Sequence, residues 1–537
     1  MRYRFSNLLA TALFLYSCAS LTTPNGGPKD KEPPILIKSI PDSNQLNFKG
    51  NTIELTFNEL VKLNNAKEEI IISPSPGKTV EYKAKGTKVI ITPKDGWHDS
   101  TTYSIIFQEG IQDVTESNSP ENLKLAFSTG NSIDSLSIKG TIKDLLRGIP
   151  LEKITVALMS SDTFDIFTDT PGYFTKTDSL GEFTISNIKS NHYKIYAFDD
   201  KNKNLKVESR AERYGFLASS LNLKQDIDSI EIGLIMLDSR PLKLTSIRNA
   251  GTTTRIRLNK FITDYTLTSD STFTNAFGDN QTEVAVWNPV HLNDSIQIHF
   301  TASDSLLNKI DSIFYIKKGT AKPMKEEFRW TLGEPNVIEE TGKFTTVIKY
   351  SKPVKTLDFD SLYIPLDTIK RIPISKEDIS INPTHKEITL TKDLDKKLFK
   401  TYKSLKLDAR VGFLYSIDND TSKSSSTNIS IRRTDETGIL LVKIETNESD
   451  FILQILNREG KILRNITNET KSTIKYLPPG DCQLRVIIDK NKNGKWDPGN
   501  IFIDKEPEKI IFYKTTDDLP FFPIRANWEL GPLIIKF

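Results

Sequence analysis

Apolar and polar residues alternate along much of the chain, which is the pattern of strands rather than helices. The segment NTIELTF, 51–57, places three large apolar residues at every second position, with threonine or glutamate between them. The segments TKVIITP and TYSIIF repeat the alternation and are separated by turn-rich stretches. No long stretch shows the three-four spacing of an amphipathic helix. The pattern therefore predicts an all-β chain.

The first residues have the order of a secretory signal. Two arginines within the first four residues precede an apolar stretch, 8–16, which is followed by Ser17 and Cys18. The quartet Leu-Tyr-Ser-Cys that ends at Cys18 resembles the bacterial lipobox, which implies cleavage before the cysteine and acylation of its thiol and new amino group. A signal peptide that is cleaved without acylation is the alternative, because Tyr16 is not the small residue usual at that position.

The lipobox resemblance implies a lipid-anchored protein with a signal peptide over 1–17. Acyl chains contribute about 0.8 kcal/mol per buried CH₂, so several chains on Cys18 would hold the protein on a membrane. Residues 18–33 are rich in Pro, Gly and charge, and they predict a flexible tether. Since Ala19 follows the cysteine where an aspartate would retain some lipoproteins in the inner membrane, outer-membrane sorting is favoured. Whether the domains face the periplasm or the medium is left open.

The region 34–130 resembles the bacterial Ig-like domain of the SbsA type. The resemblance rests on PPILIKSIPDSNQLNFKGNTIELTFNELVKL, on TYSIIF, on GIQD at 110–113 and on the closing AFSTG. Together with GGPKD before it, this stretch also resembles the start of a group of Bacteroidota-type lipoproteins that have no assigned activity. The resemblance implies a sandwich of two sheets, with Tyr103 as a candidate corner tyrosine.

The region 131–237, called module A below, resembles the carboxypeptidase-regulatory-like, or transthyretin-like, β-sandwich. Its hallmark is TDxxGxF followed by a short connection and a tyrosine strand. Thr177, Asp178, Gly181, Phe183 and Tyr193 match that hallmark here. Gly181 also has a local reason to be glycine, since a tight hairpin often needs a positive φ.

Module A has a second copy at the end of the chain, 433–537, called module B. The loop AFDDKNKNLKVES is echoed by IIDKNKNGKWDPG, and the offset that superimposes the loops also aligns four apolar positions before them. Those pairs are Ile185 with Ile474, Ile188 with Leu477, Ile195 with Leu484 and Ala197 with Val486. Module B lacks a clear TDxxGxF. Two further strand-rich regions, 238–334 and 335–432, are interpreted as Ig-like domains, which completes a tandem array.

The echoed loops resemble the first half of a calcium loop. An EF-hand needs oxygen ligands at positions 1, 3 and 5, glycine at 6 and glutamate at 12. In module B the candidate ligands are Asp489, Asn491, Asn493 and Asp497, but position 12 is Asn500 and strand-like residues precede the loop. Asn and Asp also favour tight turns through their own side chains. A duplicated structural hairpin is therefore favoured and no cofactor is expected, with a weak calcium site as the alternative.

A short motif, Asp followed by Ser or Thr and then an apolar residue or Thr, recurs along the chain. It matches the sequon that one large group of Gram-negative bacteria uses for O-glycosylation of exported proteins, although Asp-Ser is also a natural turn pair. The candidate sites are Ser135, Ser179, Ser229, Ser295, Ser305, Ser312, Ser361 and Thr368, with Ser100 and Ser271 as threonine-third variants.

Charge and motif content narrow the function classes. The chain carries 72 Lys and Arg against 69 Asp and Glu, without a long basic tract, so nucleic acid is not an expected partner. The five histidines are scattered, and no hydrolase elbow, Walker loop, HExxH or dinucleotide fingerprint occurs. Cys482 alternates with Leu484 and Val486, which predicts a buried small apolar residue. The expectation is a protein that is not an enzyme.

Two functions fit this organisation. The first is a non-enzymatic, lipid-anchored envelope protein that acts as a structural scaffold or as a protein-interaction and adhesion array. The second is a glycan- or calcium-dependent binding module at the cell surface, for which Trp496, within the module B loop, is the tryptophan to test. Core packing is expected of the other tryptophans: Trp97, Trp287, Trp330 and Trp528.

Overall fold

The computed structural model describes residues 29–77, 79–160, 164–250, 253–278, 280–287, 295–317, 327–381 and 387–537. Regular structure in these residues is almost entirely strand, so the prediction of an all-β array of sandwiches is confirmed. The predicted signal peptide, Cys18 and most of the tether lie outside the described residues. Among the residues described, no helix is long and apolar enough to cross a membrane.

The N-terminal sandwich is built from nine strands and one short helix. These are β1 (Leu36–Ile40), β2 (Ile53–Phe57), β3 (Val61–Leu63), α1 (Ala66–Glu69), β4 (Ile71–Ser73), β5 (Val80–Lys85), β6 (Lys88–Pro93), β7 (Thr102–Ile106), β8 (Ile111–Asp113) and β9 (Lys124–Ser128). One sheet has the order β1-β2-β6-β5, a second has the order β4-β7-β9, and β3 pairs with β8. The alternate apolar residues of β2 are buried, as the pattern predicted.

Tyr103 occupies the centre of this sandwich. Its side chain is fully buried, and its ring lies 4.8 Å from the ring of Trp97 and 5.5 Å from that of Phe127. Its hydroxyl accepts a hydrogen bond of 2.8 Å from the backbone N–H of His98, a short way upstream. This is the bond that a corner tyrosine makes.

Module A has eight strands in two sheets. They are β10 (Leu136–Asp144), β11 (Thr155–Met159), β12 (Tyr173–Lys176), β13 (Glu182–Ile188), β14 (Asn191–Phe198), β15 (Tyr214–Phe216), β16 (Leu221–Leu223) and β17 (Ile227–Leu234). One sheet has the order β13-β10-β17, in which β10 and β17 are parallel. The other has the order β12-β11-β14-β15, and β16 also pairs with β14.

The TDxxGxF motif forms the turn between β12 and β13, and this turn joins the two sheets of module A rather than closing the expected hairpin. The Thr177 hydroxyl donates to the carbonyl of Leu151, and the Asp178 carboxylate accepts the backbone N–H groups of Leu180 and Glu182. Gly181 has φ of +73°, and a Cβ there would lie 2.6 Å from the carbonyl oxygen of Ile142. Glycine is therefore required both by conformation and by close approach, as predicted.

The third domain has two sheets. Its strands are β18 (Leu244–Ala250), β19 (Thr253–Leu258), β20 (Asp264–Thr268), β21 (Thr274–Phe277), β22 (Glu283–Trp287), β23 (Ile296–Ser303) and β24 (Lys309–Ile316). The sheets have the orders β18-β19-β22-β21 and β20-β23-β24. Lys260 and Asp304 form an ion pair between two buried side chains at one end of this domain.

The fourth domain is dominated by one nine-stranded sheet. Its elements are β25 (Trp330–Leu332), β26 (Asn336–Ile338), β27 (Lys343–Tyr350), β28 (Val354–Leu357), β29 (Leu362–Pro365), β30 (Arg371–Pro373), β31 (Ile379–Ile381), β32 (Glu387–Asp393), α2 (Lys397–Thr401), β33 (Leu405–Ala409), β34 (Leu414–Ser416) and β35 (Ser425–Arg432), with short 3-10 turns at Phe359–Ser361 and Lys376–Asp378. The sheet order is β30-β29-β33-β35-β26-β27-β32-β31, with β25 also on β27 and a separate β28-β34 ribbon.

The fourth domain departs from the sequence prediction in two ways. The strand β25 was predicted to close the third domain, but it pairs with β27, and Phe328 just before it lies in the fourth domain's core. The strands β26 and β35 also pair in parallel. This pair connects strands that would belong to two separate sheets in an Ig-like domain. Both differences arise because strand pairing, which fixes the domain, is not encoded in the alternation of one strand.

Module B repeats the topology of module A strand for strand. Its strands are β36 (Gly438–Glu445), β37 (Phe451–Asn457), β38 (Ile462–Thr467), β39 (Lys471–Leu477), β40 (Gly480–Ile488), β41 (Ile510–Phe512), β42 (Phe522–Ile524) and β43 (Glu529–Lys536), with a 3-10 turn at Ile501–Ile503. The sheets have the orders β39-β36-β43, with β36 and β43 parallel, and β38-β37-β40-β41, with β42 on β40. All eight apolar residues that the self-alignment paired are buried.

Asp113, at the end of β8, holds the loop that follows it. One carboxylate oxygen accepts the backbone N–H groups of Glu116 and Ser117 at 2.6 and 2.9 Å, and the other accepts that of Asn118 at 3.0 Å. Burial alone would raise the pKa of Asp113, but these hydrogen bonds outweigh it and lower the pKa to about 2.

The depressed pKa of Asp113 predicts acid sensitivity of the N-terminal sandwich. Because the folded pKa of about 2 lies below the ordinary value, this carboxylate stabilises the fold above about pH 4, and the contribution is lost as pH falls towards 2. We expect Asp113→Asn to destabilise the sandwich most at neutral pH, with the difference from wild type shrinking below pH 4. Hydrogen exchange of the 111–118 segment measures this, with the exposed Asp99→Asn as control. A pH-independent difference would contradict the assignment.

Candidate functional site

The module B loop is held by its own aspartate and asparagine side chains. Asp489 is buried, and its two carboxylate oxygens accept the backbone N–H groups of Asn493 at 3.1 Å and Gly494 at 2.8 Å. The side-chain oxygen of Asn491 accepts the Asn493 N–H at 3.2 Å, and that of Asn493 accepts the Lys495 N–H at 2.7 Å. The alternate Asp and Asn positions of the sequence motif thus form a series of side-chain-to-backbone turns.

Asp497 and Glu508 complete the loop. The side-chain amide groups of Asn491 and Asn493 donate to the Asp497 carboxylate, so all four predicted ligand residues come together. The buried Glu508 carboxylate accepts the N–H groups of Lys490 at 2.9 Å and of Asp497 at 3.1 Å. Burial, the largest cause, raises the pKa of Glu508, and the charge of Asp497 adds to the effect.

The module A loop has the same geometry. Asp200 accepts the backbone N–H groups of Asn204 and Leu205, both at 3.0 Å. Asn202 accepts the Asn204 N–H at 3.2 Å, and Asn204 accepts the Lys206 N–H at 2.8 Å. Leu205, where module B has Gly494, adopts φ of +58° against +72° for the glycine. The backbone path is thus conserved between the copies even where the residue that favours it is missing.

Glu212 has in module A the role of Glu508 in module B. It is buried and accepts the N–H groups of Lys201 at 2.9 Å and Glu208 at 2.8 Å. Sequence reasoning missed both glutamates. Each glutamate follows its loop at a different distance along the chain, so no fixed spacing identifies the pair. Burial distinguishes these two acids from their neighbours, and burial is seen only in the structure.

The arrangement accounts for the loops as structural hairpins. Every carboxylate named above already accepts backbone or side-chain N–H groups. Asn500, at EF-hand position 12, points elsewhere: its side chain bonds the carbonyl of Leu306 and the N–H of Phe502. Within the described ranges, no group of three or more His, Cys, Asp or Glu residues is arranged to hold a metal ion. The expectation of no cofactor and its alternative, a weak calcium site, both stay predictions to be tested.

The far end of the module B loop docks onto module A. Asp504 forms an ion pair of 3.1 Å with Lys194, and Glu506 accepts the backbone N–H of Ala218 at 2.8 Å. Ile501 packs against the apolar cluster on the outer face of the β11-β14-β15 sheet, and the Phe502 ring lies 5.8 Å from that of Phe167. The loop therefore joins two domains that are far apart in the sequence.

The contact is reciprocal, because a loop of module A also docks onto module B. The half-buried Arg485 donates its guanidinium N–H to the carbonyl of Leu146 at 2.6 Å, and Gln483 donates to that of Arg147 at 3.1 Å. Gly148 lies so close to the Phe512 ring that a Cβ would approach it to 2.5 Å. Residues 144–150 therefore cover the outer face of the β37-β40-β41 sheet.

The sequon residues are mostly accessible. Six of the eight main candidates are exposed, whereas Ser312, within β24, and Ser361 are half-buried, and the Ser361 hydroxyl donates to Asp358 at 2.7 Å. The exposed ones are Ser135, Ser179, Ser229, Ser295, Ser305 and Thr368; Ser100 and Ser271 are exposed as well.

The tryptophans differ from one another in environment. Trp97 and Trp287 are core residues, and Trp496 is half-buried with its indole N–H donating to the carbonyl of Glu508 at 3.1 Å. Trp330 is half-buried at a cleft described below. Trp528 is 58% exposed, so the expectation of core packing is wrong for it: its ring lies beneath the guanidinium of Arg525 instead.

Cys482 is buried in the module B core, as predicted, and burial, followed by the charge of Asp481, raises the pKa of its thiol to about 11. His299 contacts Asp311 at 2.8 Å on an exposed sheet face. His291 and His385 lie outside the described residues.

Comparison with known proteins identifies the first domain. Residues 30–129 match the family model of the bacterial Ig-like domain, which confirms that class of domain for the N-terminal sandwich. No curated protein matches the chain. The match does not extend to the other domains, so the families named for them stay predictions.

The solved structures in the comparison have low sequence identity to the chain and low TM-scores. The S-layer protein rSbsC is 12% identical over 90% of this chain and 67% of its own, with a TM-score of 0.17. A Bacteroides ovatus mixed-linkage glucan utilization protein, SGBP-B, is 11% identical over 74% of this chain and 95% of its own, also at 0.17. The Bacillus cereus major pilin BcpA is 11% identical over 75% and 99%, at 0.13. No functional argument rests on similarities of this size.

Calorimetric titration of calcium into the full mature chain tests the loops. We expect no saturable heat up to millimolar calcium, the weak end of extracellular modules, because the loop oxygens are engaged and position 12 is turned away. Asp489→Ala and the matched Asp200→Ala are the controls. Saturable binding that Asp489→Ala abolishes and Asp200→Ala preserves would instead make the module B loop a calcium site.

Intact mass of the mature protein, purified from its own cells, tests the sequons. Acylation of Cys18 would add mass of its own, so the reference is the acylated mature chain. We expect a mass above that reference, and Ser or Thr to Ala changes at the eight exposed sites should remove the excess. Because Ser312 and Ser361 are half-buried, their alanine variants should leave the excess unchanged. A mass equal to that of the acylated chain without sugar, or of the bare chain, would end the glycosylation prediction.

Proposed function

We propose that the protein is a non-enzymatic, lipid-anchored protein of the outer membrane that serves as a scaffold or interaction array of the cell envelope. The observation that supports this proposal best is the reciprocal contact between modules A and B. It joins the second and fifth domains directly, so the loops and strand edges are displayed on a base of defined geometry. Its partners would be other envelope proteins or glycans.

The N-terminal tether suits such a base. A segment of the length of residues 18–33 spans at most about 55 Å when fully extended, so the sandwiches would stay near the bilayer that holds the acyl chains. Loop ends and unpaired strand edges, rather than a deep catalytic cavity, would then make the contacts with a partner.

One observation favours the second function, a calcium- or glycan-dependent binding module. The four predicted ligand residues of module B do come together, and the half-buried Trp496 lies in the same loop. The calcium titration above therefore bears on this alternative as well as on the loop itself.

Replacement of Cys18 tests the anchor. We expect Cys18→Ala to abolish metabolic labelling by fatty acid and to move the protein from the membrane to the soluble fraction, since the acceptor thiol is gone. Cys482→Ala is the matched control: that cysteine is buried in a core, so its variant should keep both the label and the membrane association. Membrane association that survives in Cys18→Ala would contradict the proposal.

A further inference from the structure

The large sheet of the fourth domain splits at one place. Both β25 and β26 pair with β27, one after the other along its length. On its other side β26 pairs with the end of β35, Ser430 to Arg432. The strand β25 lies beside the start of β35, but no main-chain hydrogen bond between described residues joins the two. A cleft therefore opens between two strands that would be neighbours in a continuous sheet.

Both sides of the cleft present main-chain groups. On β25, Arg329 accepts the Ser351 N–H and Gly333 donates to Val347, so alternate residues face β27. The N–H and C=O groups of Trp330 and Leu332 then point the other way, into the cleft. On β35, Ser430 donates to Pro335 on the β26 side, and the same alternation directs the main-chain groups of Ser426 and Asn428 towards β25.

The cleft has the size and lining of a ligand site. It encloses about 530 Å³, within the range of roughly 300–1,000 Å³ that is usual for binding pockets. Trp330, Leu332, Ser425 and Thr427 line it. The indole N–H of Trp330 donates to the carbonyl of Lys423 at 3.0 Å and so fixes the ring at one end.

The charges at the mouth are unequal. Glu327 and Lys423, on opposite sides, form an ion pair of 2.5 Å between largely exposed side chains. Arg329 lies close enough to help lower the pKa of Glu327, after the hydrogen bond and charge of Lys423. Two cations thus accompany one carboxylate, which favours a ligand that brings an acidic group.

We propose that this cleft binds an extended, acidic polypeptide segment of a partner protein, which adds as a strand between β25 and β35. The main-chain groups of Trp330 and Leu332 on one side, and of Ser426 and Asn428 on the other, supply the hydrogen bonds. The rings and methyl groups of the lining contact alternate side chains of the segment, and Arg329 pairs with its acid. The proposal deepens the interaction role proposed above, but it does not depend on the lipid anchor.

A displayed library of random seven-residue peptides, selected on the full mature chain, tests the proposal. Thr427→Trp fills the cleft, and Lys406→Trp is the matched control, because this exposed side chain on the neighbouring strand β33 does not line the cleft. We expect enrichment of acidic peptides whose affinity falls by about tenfold or more in Thr427→Trp and stays within about twofold in Lys406→Trp. Arg329→Gln should weaken them as well.

Hydrogen exchange identifies the mode of binding. Synthetic versions of the selected peptides should protect the amides of Trp330, Leu332, Ser426 and Asn428, which are expected to exchange faster than those of Thr331 and Thr427 in the free protein. Unchanged exchange of the β27 and β33 amides in Thr427→Trp shows that this variant folds; Ser425→Phe replaces it if it does not.

Three outcomes would overturn the proposal. One is that selection on the wild-type chain enriches no peptide relative to selection on Thr427→Trp. Another is that the selected peptides bind without protecting the four amides. The third is that oligosaccharides on an array bind in a Thr427-dependent manner while peptides do not, which would make the cleft a sugar site. Because Cys18→Ala leaves the cleft intact, failure here is distinguishable from failure of the proposed anchor.

Discussion

The structure depends on buried and half-buried carboxylates that accept the main-chain N–H groups of tight loops. A chain made of strands must end many of them, and each loop then leaves donors that need acceptors when they are out of water. Asp113, Asp200 and Asp489 each accept two or more such N–H groups. Asp304 does the same for Leu306 and Asn308 while it pairs with Lys260. The carboxylates that resemble metal ligands in the sequence thus accept the N–H groups of their own loops.

Modules A and B use one loop design in two ways. Modules A and B share eight strands in the same order and the same Asp-Asn loop. In module B the chain between Asp497 and Glu508 is longer, and the added residues carry Ile501, Asp504 and Glu506 to the surface of module A. The extension converts a hairpin into a contact between domains, while the shared loop keeps its base fixed.

The sequence predicted what depends on local pattern and missed what depends on distant pairing. Alternation identified β2 and its buried face, and self-alignment identified the two equivalent loops. The burial of Cys482 followed from the alternation within its own strand, and the need for Gly181 followed from the turn motif around it. By contrast, β25 belongs to a different sheet than expected. It pairs with β27, and this pairing depends on the folded arrangement rather than on the residues of β25 alone. The contact of Arg485 with Leu146 joins positions 339 residues apart and leaves no periodic trace in either segment.

The contact between modules A and B also has a mechanical consequence. Tension applied between module A and module B has two routes, one through the third and fourth domains and one directly across the contact. The direct route involves fewer domains, so part of the load crosses the contact while it holds. The hydrogen bonds of Arg485, Gln483 and Glu506 must break before the load passes through the middle domains alone.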